Sequence, residues 1–454
     1  MNWVLIGGPL MAIAVGAWVA SSFGSAPAGW TAGVTTLCAV WWVAEPIPIP
    51  VTSLLPLAIF PLVGVLSAKD VGEAYGSPLV LLMLGGFMLS AAMEKSGAHR
   101  RIAIGMVNLF GGGGRQLVFG FMAAAAFLSM WISNTATALM MLPIAMAVLQ
   151  QSKDRNLARA LLLGITYAAS IGGIGTPIGT PPNLLFMEVY AQTTGVEPTF
   201  LQWMGWALPI MAVMLPLAAF WLTRSVARDD QIALPQAGRW RAEEVRTLVI
   251  FSVAALLWVT RKEPFGGWSS LAGLPSANDA SIALLAVIAL FIAPNGKGAR
   301  LLDWPTAAKI PWGILILYGG GIAIAKSFSE SGVSDALGGV VSGLAELPTI
   351  LLIGAVCFTV TFLTEVTSNT ATTALLMPIL AAAATAAGIE PRLLMAPAAI
   401  SASFAFMMPV ATPPNAIVFG AGKLSMREMA REGFVLNLAG VVVVTLLATW
   451  LLGN

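Results

Sequence analysis

Ser129-Met-Trp-Ile-Ser133-Asn134-Thr135-Ala-Thr137 recurs as Thr364-Glu-Val-Thr-Ser368-Asn369-Thr370-Ala-Thr372, and both copies lie inside long apolar segments. The offset is 235 residues throughout, and Pro143-Ile144 maps onto Pro378-Ile379 at the same distance. Upstream, Gly85-Gly86 and Ser96-Gly97 map onto Gly320-Gly321 and Ser331-Gly332, again at 235. Downstream, Gly179-Thr180-Pro181-Pro182-Asn183 maps onto Ala411-Thr412-Pro413-Pro414-Asn415 at 232. Small-residue matches are common by chance in apolar sequence, but a single offset held over so long a stretch is not. The chain reads as two homologous halves.

Composition decides the solvent. Of 454 residues, 58% are hydrophobic and only 10% charged, where soluble domains carry about 25% charged residues. Apolar runs long enough for a bilayer core of ~30 Å recur along the chain, so an all-α polytopic membrane protein is expected. Spans are expected near 3–20, 30–44, 51–66, 78–94, 203–223, 247–260, 279–293, 312–327 and 433–452. Interrupted segments are expected at 117–149, 157–190, 347–387 and 392–422. No basic residue precedes the first run, whereas a cleaved signal peptide needs a basic n-region; a retained first transmembrane helix is expected. Net charge is +2 and carries no nucleic-acid signal.

Orientation follows from Lys and Arg, which favour the cytoplasmic side. With a cytoplasmic N-terminus, connections 95–115, 153–159, 224–246, 297–309 and 423–431 all face inward. Of the 23 basic residues, only Lys69, Arg261, Lys262, Lys326 and Arg392 then face outward. About 11 crossings put the C-terminus on the outer side. Arg115 and Lys153 flank the first Ser-Asn-Thr segment, whereas Glu346 and Glu390 flank the second, so the two halves are expected to be inverted repeats. Such repeats with helices broken near the midplane are the usual build of secondary transporters.

Segment 117–149 would be roughly 50 Å long as a straight helix, too long for one crossing. Two half-helices folded back as a re-entrant hairpin would put Ser133-Asn134-Thr135 deep in the membrane. Ser, Asn and Thr favour helix N-caps. Capping the second arm, they would aim free backbone N–H groups and a positive dipole end at an anion. In the Pro-Pro-Asn elements, Pro181 and Pro182 remove backbone donors, freeing carbonyls around Gly179 to meet a cation. Ser129, one turn before Ser133, adds a hydroxyl, and Thr364 occupies the same place in the second half. Ligation by hydroxyl, amide and carbonyl oxygens suits a hard ion such as Na⁺. A single Ser-Asn-Thr in an apolar helix is ordinary packing glue; its pairing at a repeat offset beside a Pro-Pro break is what marks a site.

Other features read as structural. Cys38 and Cys357 lie in separate apolar segments and suit packing. His99 sits in a polar connection beside Arg100 and Arg101, and so few soft ligands make a zinc or haem centre improbable. Gly420-Ala-Gly422-Lys423 has the wrong glycine spacing for a phosphate loop, and Gly172-Gly173-Ile-Gly175 suits helix packing. The four glycines at 111–114 read as a hinge or linker, and Trp41-Trp42 as interfacial belt residues. Glu365 is the one acid expected deep in the membrane, opposite Met130 in the repeat. An acid there tunes a cation site, carries a proton or pairs with a base such as Lys326.

The paired Ser-Asn-Thr tips and Thr-Pro-Pro-Asn loops resemble those of the divalent anion:sodium symporter family, across essentially the whole chain. The resemblance implies a bacterial inner-membrane homodimer in which a mobile transport domain rides against a static scaffold as an elevator. Residues 1–114 and 247–346 would be the scaffold parts of the two repeats, and 115–226 and 347–454 the transport parts. Residues 227–246 would be a cytoplasmic linker. By motif position, the resemblance assigns one sodium to Ser129, Ser133, Asn134 and Gly179, and another to Thr364, Ser368, Asn369 and Ala411. Substrate carboxylates would meet Asn134, Thr135, Asn369 and Thr370, with Thr180, Thr412 and Pro413 lining the site. Ala411 replaces the glycine of the first half, which a backbone carbonyl ligand tolerates. The expected activity is sodium-coupled import of a C4-dicarboxylate, with no organic cofactor. Citrate or sulfate transport and sodium-independent exchange stay open, and an anion channel is the competing class. An enzyme is disfavoured, since the expected core holds no Ser/His/Asp set, metal cluster or acid pair.

Overall fold

Side-chain caps start many of the helices. Ser67, Thr199 and Ser425 each accept a bond from the N3 amide while the N3 Asp, Gln or Glu reaches back to the cap amide; such boxes satisfy two of the helix's orphan donors. The computed structural model describes residues 3–152, 154–227, 236, 238–264, 266–334 and 347–453. Lys153 and Glu346, named above, lie outside them, as do 228–235 and 237 of the expected linker. The described residues are predominantly helical and form no strand. Six helices are long and apolar enough to cross a membrane, among them Trp3–Phe23, Phe200–Thr223 and Met426–Leu452. Other apolar helices, such as Gly114–Ser129 and Asn134–Leu149, are shorter.

Large apolar side chains cover the outside, including Leu10, Leu285 and Val442, each more than half exposed. Only hydrocarbon makes such a surface favourable. Charges sort to two ends. Lys95 meets Asp303 at 2.6 Å, Arg101 meets Glu244 at 2.8 Å and Arg224 meets Glu432 at 2.8 Å, all joining connections expected on the cytoplasmic side. Lys326 meets Asp70 at 2.7 Å and Arg261 meets Asp279 at 2.6 Å, joining groups expected on the other. Among the described residues no ion pair links the two sets.

Three local expectations change. The connection 95–115 contains a helix, Ala98–Phe110, whose His99, Ala103 and Val107 are buried; their four-residue spacing is a helical face. His99 is therefore packed, its Nδ1 2.9 Å from the Met93 carbonyl. As a linker would, the glycines at 111–113 join that helix to Gly114–Ser129, whose first residue is Gly114. Gly111 takes φ 94° and a side chain on Gly114 would fall 2.8 Å from the Ala227 carbonyl. Trp42 is buried and its indole donates to Ser53 Oγ at 3.0 Å, so it is core and not belt. The expected span 51–66 is divided into Ile49–Thr52 and Leu55–Leu62. Cys38 and Cys357 are buried free thiols, as packing residues would be.

The glycine cluster at the end of Arg155–Gly173 sets how closely the site can be built. A Cβ on Gly172 would lie 2.2 Å from the Ala126 carbonyl oxygen and 2.4 Å from its Cα. Two backbones touch there, fixing Gly114–Ser129 against Arg155–Gly173. Gly172→Ala should lower the thermal midpoint in detergent by the equivalent of at least about 1–3 kcal/mol, the cost of overpacking. Gly7→Ala, with nothing within 4 Å of its Cβ position, should leave the midpoint unchanged or raise it slightly.

Candidate substrate and cation site

The helical arms of the first Ser-Asn-Thr segment are Gly114–Ser129 and Asn134–Leu149, 16 residues each. At 1.5 Å per residue each is ~24 Å long, shorter than a bilayer core. Ser133 is extended (φ −60°, ψ 144°), and its side chain accepts from the Ala136 amide at 3.1 Å. Ser368 is likewise extended, with Ala371 N at 3.5 Å, ahead of the arm Asn369–Ala386. The caps are thus the serines alone, and the arms begin directly after them, at Asn134 and Asn369. Ser129 hydrogen-bonds Asn134 Oδ1, and Thr364 Oγ1 bonds Asn369 Oδ1 at 2.5 Å. One hydroxyl, five residues upstream, orients each tip amide.

The Pro-Pro elements begin helices as well as ending them. After Arg155–Gly173 the chain is irregular until Thr180 (φ −146°, ψ 144°), and Pro181 and Pro182 open the next helix, Pro181–Thr194. Proline fits there because the first helical amides have no partner to lose. Thr412 does the same for Pro413–Phe419. Asn183 Nδ2 donates to the carbonyls of Gly173 at 3.0 Å and Thr176 at 2.7 Å. Asn415 Nδ2 donates to Ala405 at 2.9 Å and Met408 at 3.0 Å. These four carbonyls correspond at the repeat offset of 232, so each break is tied by an equivalent asparagine. Two carbonyls of each break are therefore engaged by protein. Gly179 packs where a Cβ would lie 2.4 Å from the Gly173 carbonyl oxygen and 3.0 Å from that of Ser129.

Both tips and both breaks line one cavity of about 870 Å³. Ser133, Asn134 and Thr135 face it with Gly179, Thr180 and Pro181; Ser368, Asn369 and Thr370 face it with Ala411, Thr412 and Pro413. Ser129 and Thr364 are fully buried behind the tip amides and do not line it. The remaining wall comes from Pro50, Phe87, Gly313 and neighbouring residues. Among the described residues no Lys or Arg lines it, and Glu45 is the one ionisable group there. The described residues gather no cluster of three His, Cys, Asp or Glu. A second cavity, of about 790 Å³ between Ala242–Val259 and Asp279–Ile292, has almost wholly apolar walls and holds no tip residue.

Glu365 pairs with no base among the described residues. Its carboxylate accepts from Met407 N at 2.8 Å, Met408 N at 2.9 Å and Asn437 Nδ2 at 2.7 Å. Lys326, the base considered for it, is bound to Asp70 instead. In the first half the equivalent contact is different: the Thr176 hydroxyl bonds the Met130 carbonyl. The halves thus share the asparagine tie but not the acid.

Sequence patterns missed two parts of this arrangement. Asn183 and Asn415 were legible as repeated residues, and their recurrence was the available signal, but the carbonyls they bind lie seven and ten residues away. Glu45 carried no signal, since only the fold brings it to the tips. Asn183→Ala and Asn415→Ala should each lower the thermal midpoint by the equivalent of about 1–3 kcal/mol, the cost of orphaned buried acceptors, measured on the purified protein with and without sodium.

The chain matches known proteins along nearly its whole length. A family model described as the sodium:sulfate symporter transmembrane region matches residues 8–452. The sodium-dependent dicarboxylate transporter SdcS of Staphylococcus aureus strain USA300 is 40% identical over 444 residues, covering 92% of this chain and 85% of the relative. Two solved structures share the fold at low identity. The YdaH transporter of Alcanivorax borkumensis aligns with a TM-score of 0.59 at 14% identity, over 93% of this chain and 98% of that one. MtrF of Neisseria gonorrhoeae aligns with a TM-score of 0.60 at 15% identity, over 86% and 84%.

Proposed function

The chain belongs to the sodium:sulfate symporter family, and from that premise we propose that it is a secondary transporter driving uptake of a C4-dicarboxylate, such as succinate, malate or fumarate, with sodium. The observation that carries this reading is the shared cavity itself: two Ser-Asn-Thr tips and two Thr-Pro-Pro-Asn breaks face one space with no basic side chain in its walls. A dianion there must find its positive charge elsewhere. The two tip helices offer about one charge between them at their N-termini, and the break helices, opened by Pro181-Pro182 and Pro413-Pro414, lack the first amides that would add to it. Co-bound cations fill the deficit.

In this reading Ser129, Ser133, Asn134 and Gly179 hold one sodium, and Thr364, Ser368, Asn369 and Ala411 the other. Ser129 and Thr364 act from behind, through hydroxyls that also fix the tip amides. Asn134, Thr135, Asn369 and Thr370 meet the carboxylates, while Thr180, Thr412 and Pro413 close the sides. The name of the Staphylococcus relative supports a dicarboxylate and sodium coupling; the family description supports sulfate as the second candidate.

The mechanism proposed is an elevator in a homodimer of inverted repeats, in the inner membrane, with the N-terminus inside and the C-terminus outside. Tips and breaks belong to the moving unit, and Glu45 and Gly313 to the static one. Residues of both proposed units line the cavity, which supports a site exposed alternately to either side.

Purified protein in liposomes should accumulate labelled succinate under an inward sodium gradient and not under an equal potassium gradient. Asn134→Ala and Asn369→Ala should each cut that uptake about ten- to hundredfold, the range for losing a charge-assisted hydrogen bond. Stronger competition by sulfate than by unlabelled succinate would reassign the substrate. Uptake indifferent to sodium but stimulated by internal dicarboxylate would make the protein an exchanger.

A further inference from the structure

A carboxylate in the wall of an anion site calls for a reason. Glu45 is solvent-exposed and is the only ionisable residue lining the cavity that contains both tips. It ends the helix Ala26–Ala44, its amide donating to the Trp41 carbonyl at 3.0 Å. Its backbone is left-handed (φ 46°, ψ 46°), the one non-glycine residue with positive φ among the described residues. Glycine or asparagine would hold that turn at lower cost, so the backbone alone does not explain a glutamate.

The turn is also rigid. Pro46, Pro48 and Pro50 follow, and Pro50 is wedged against the helix Trp312–Glu330, where a Cβ on Gly313 would fall 2.5 Å from Pro50 Cγ. No salt bridge neutralises Glu45 among the described residues. A fixed, unpaired negative charge therefore shares a cavity with the proposed substrate.

We infer that Glu45 sets the order of loading: it draws sodium into the empty cavity and repels the dianion until sodium is bound. This rests on the sodium-coupled reading above and adds a specificity residue from outside the tips and breaks. Coulomb interaction acts on both ligands with opposite sign, so removing the charge has a signature that damage to packing does not share. Glu45→Gln should weaken sodium binding measured without anion. It should also tighten succinate binding measured in choline without sodium. Because succinate bears two charges, its fold-change should be roughly the square of that for sodium, about two- to threefold for sodium against about four- to tenfold for succinate. Slippage, seen as sodium-independent succinate entry into liposomes, should rise with it.

Equilibrium binding of ²²Na⁺ and of labelled succinate to the purified protein at constant ionic strength tests this. Glu45→Asp, which keeps the charge, should behave as the wild type. Glu45→Asn, whose side chain suits the left-handed turn, serves as a second neutral variant if Glu45→Gln does not fold. Opposite shifts for the two ligands support the assignment. Loss of affinity for both together, or no change in either, overturns it. Wild-type protein whose succinate binding ignores sodium would instead overturn the functional reading beneath it.

Discussion

A backbone N–H or C=O without a partner in hydrocarbon costs several kcal/mol, and every break in a membrane helix creates a set of them. The structure meets that cost in four places with very few side chains. Ser133 and Ser368 take one amide each at the tips. Asn183 and Asn415 take two carbonyls each at the breaks. The tips and breaks that these residues tie together line a single cavity. The same asparagines that make the breaks tolerable tie each loop to the helix that follows it.

The electrostatics follow from this economy. A cavity walled by amides, hydroxyls and helix ends binds charge without committing a fixed positive group. A lysine or arginine would hold a dianion tightly in either orientation and would not need a cation to do so. Partial charges of helix ends leave room for mobile ions to complete the neutralisation, which makes affinity a function of the ion gradient. The acids differ in how they fit that scheme. Glu365 is spent on two amides of the second break and on Asn437. Glu45 is left free to act on whatever enters.

Much of the site was legible in the sequence because it is duplicated. Ser133-Asn134-Thr135 and Ser368-Asn369-Thr370 could be picked out by their constant offset, and their gathering in one cavity agrees with that expectation. Apolar segments likewise announced most of the helices. Contacts closed by tertiary structure were not legible. The partners of Glu365 lie 42, 43 and 72 residues away, and proximity of Lys326 was a guess about depth, overturned by Asp70. Trp42 was assigned to the interface by residue type, yet the nearby Ser53 hydroxyl lets it be buried. The helix Ala98–Phe110 was hidden because its four-residue apolar spacing sits among basic residues that mark a connection.

The most direct test is the position of the cations themselves. The protein should be determined with succinate after exchange of sodium for thallium, whose anomalous signal separates an ion from a water. Two peaks are expected, one among the oxygens of Ser133, Asn134 and Gly179 and one among those of Ser368, Asn369 and Ala411, with the substrate between them. Succinate seated on the two tip amides with no cation peak at either place would contradict the claim that mobile ions stand in for the missing basic side chains.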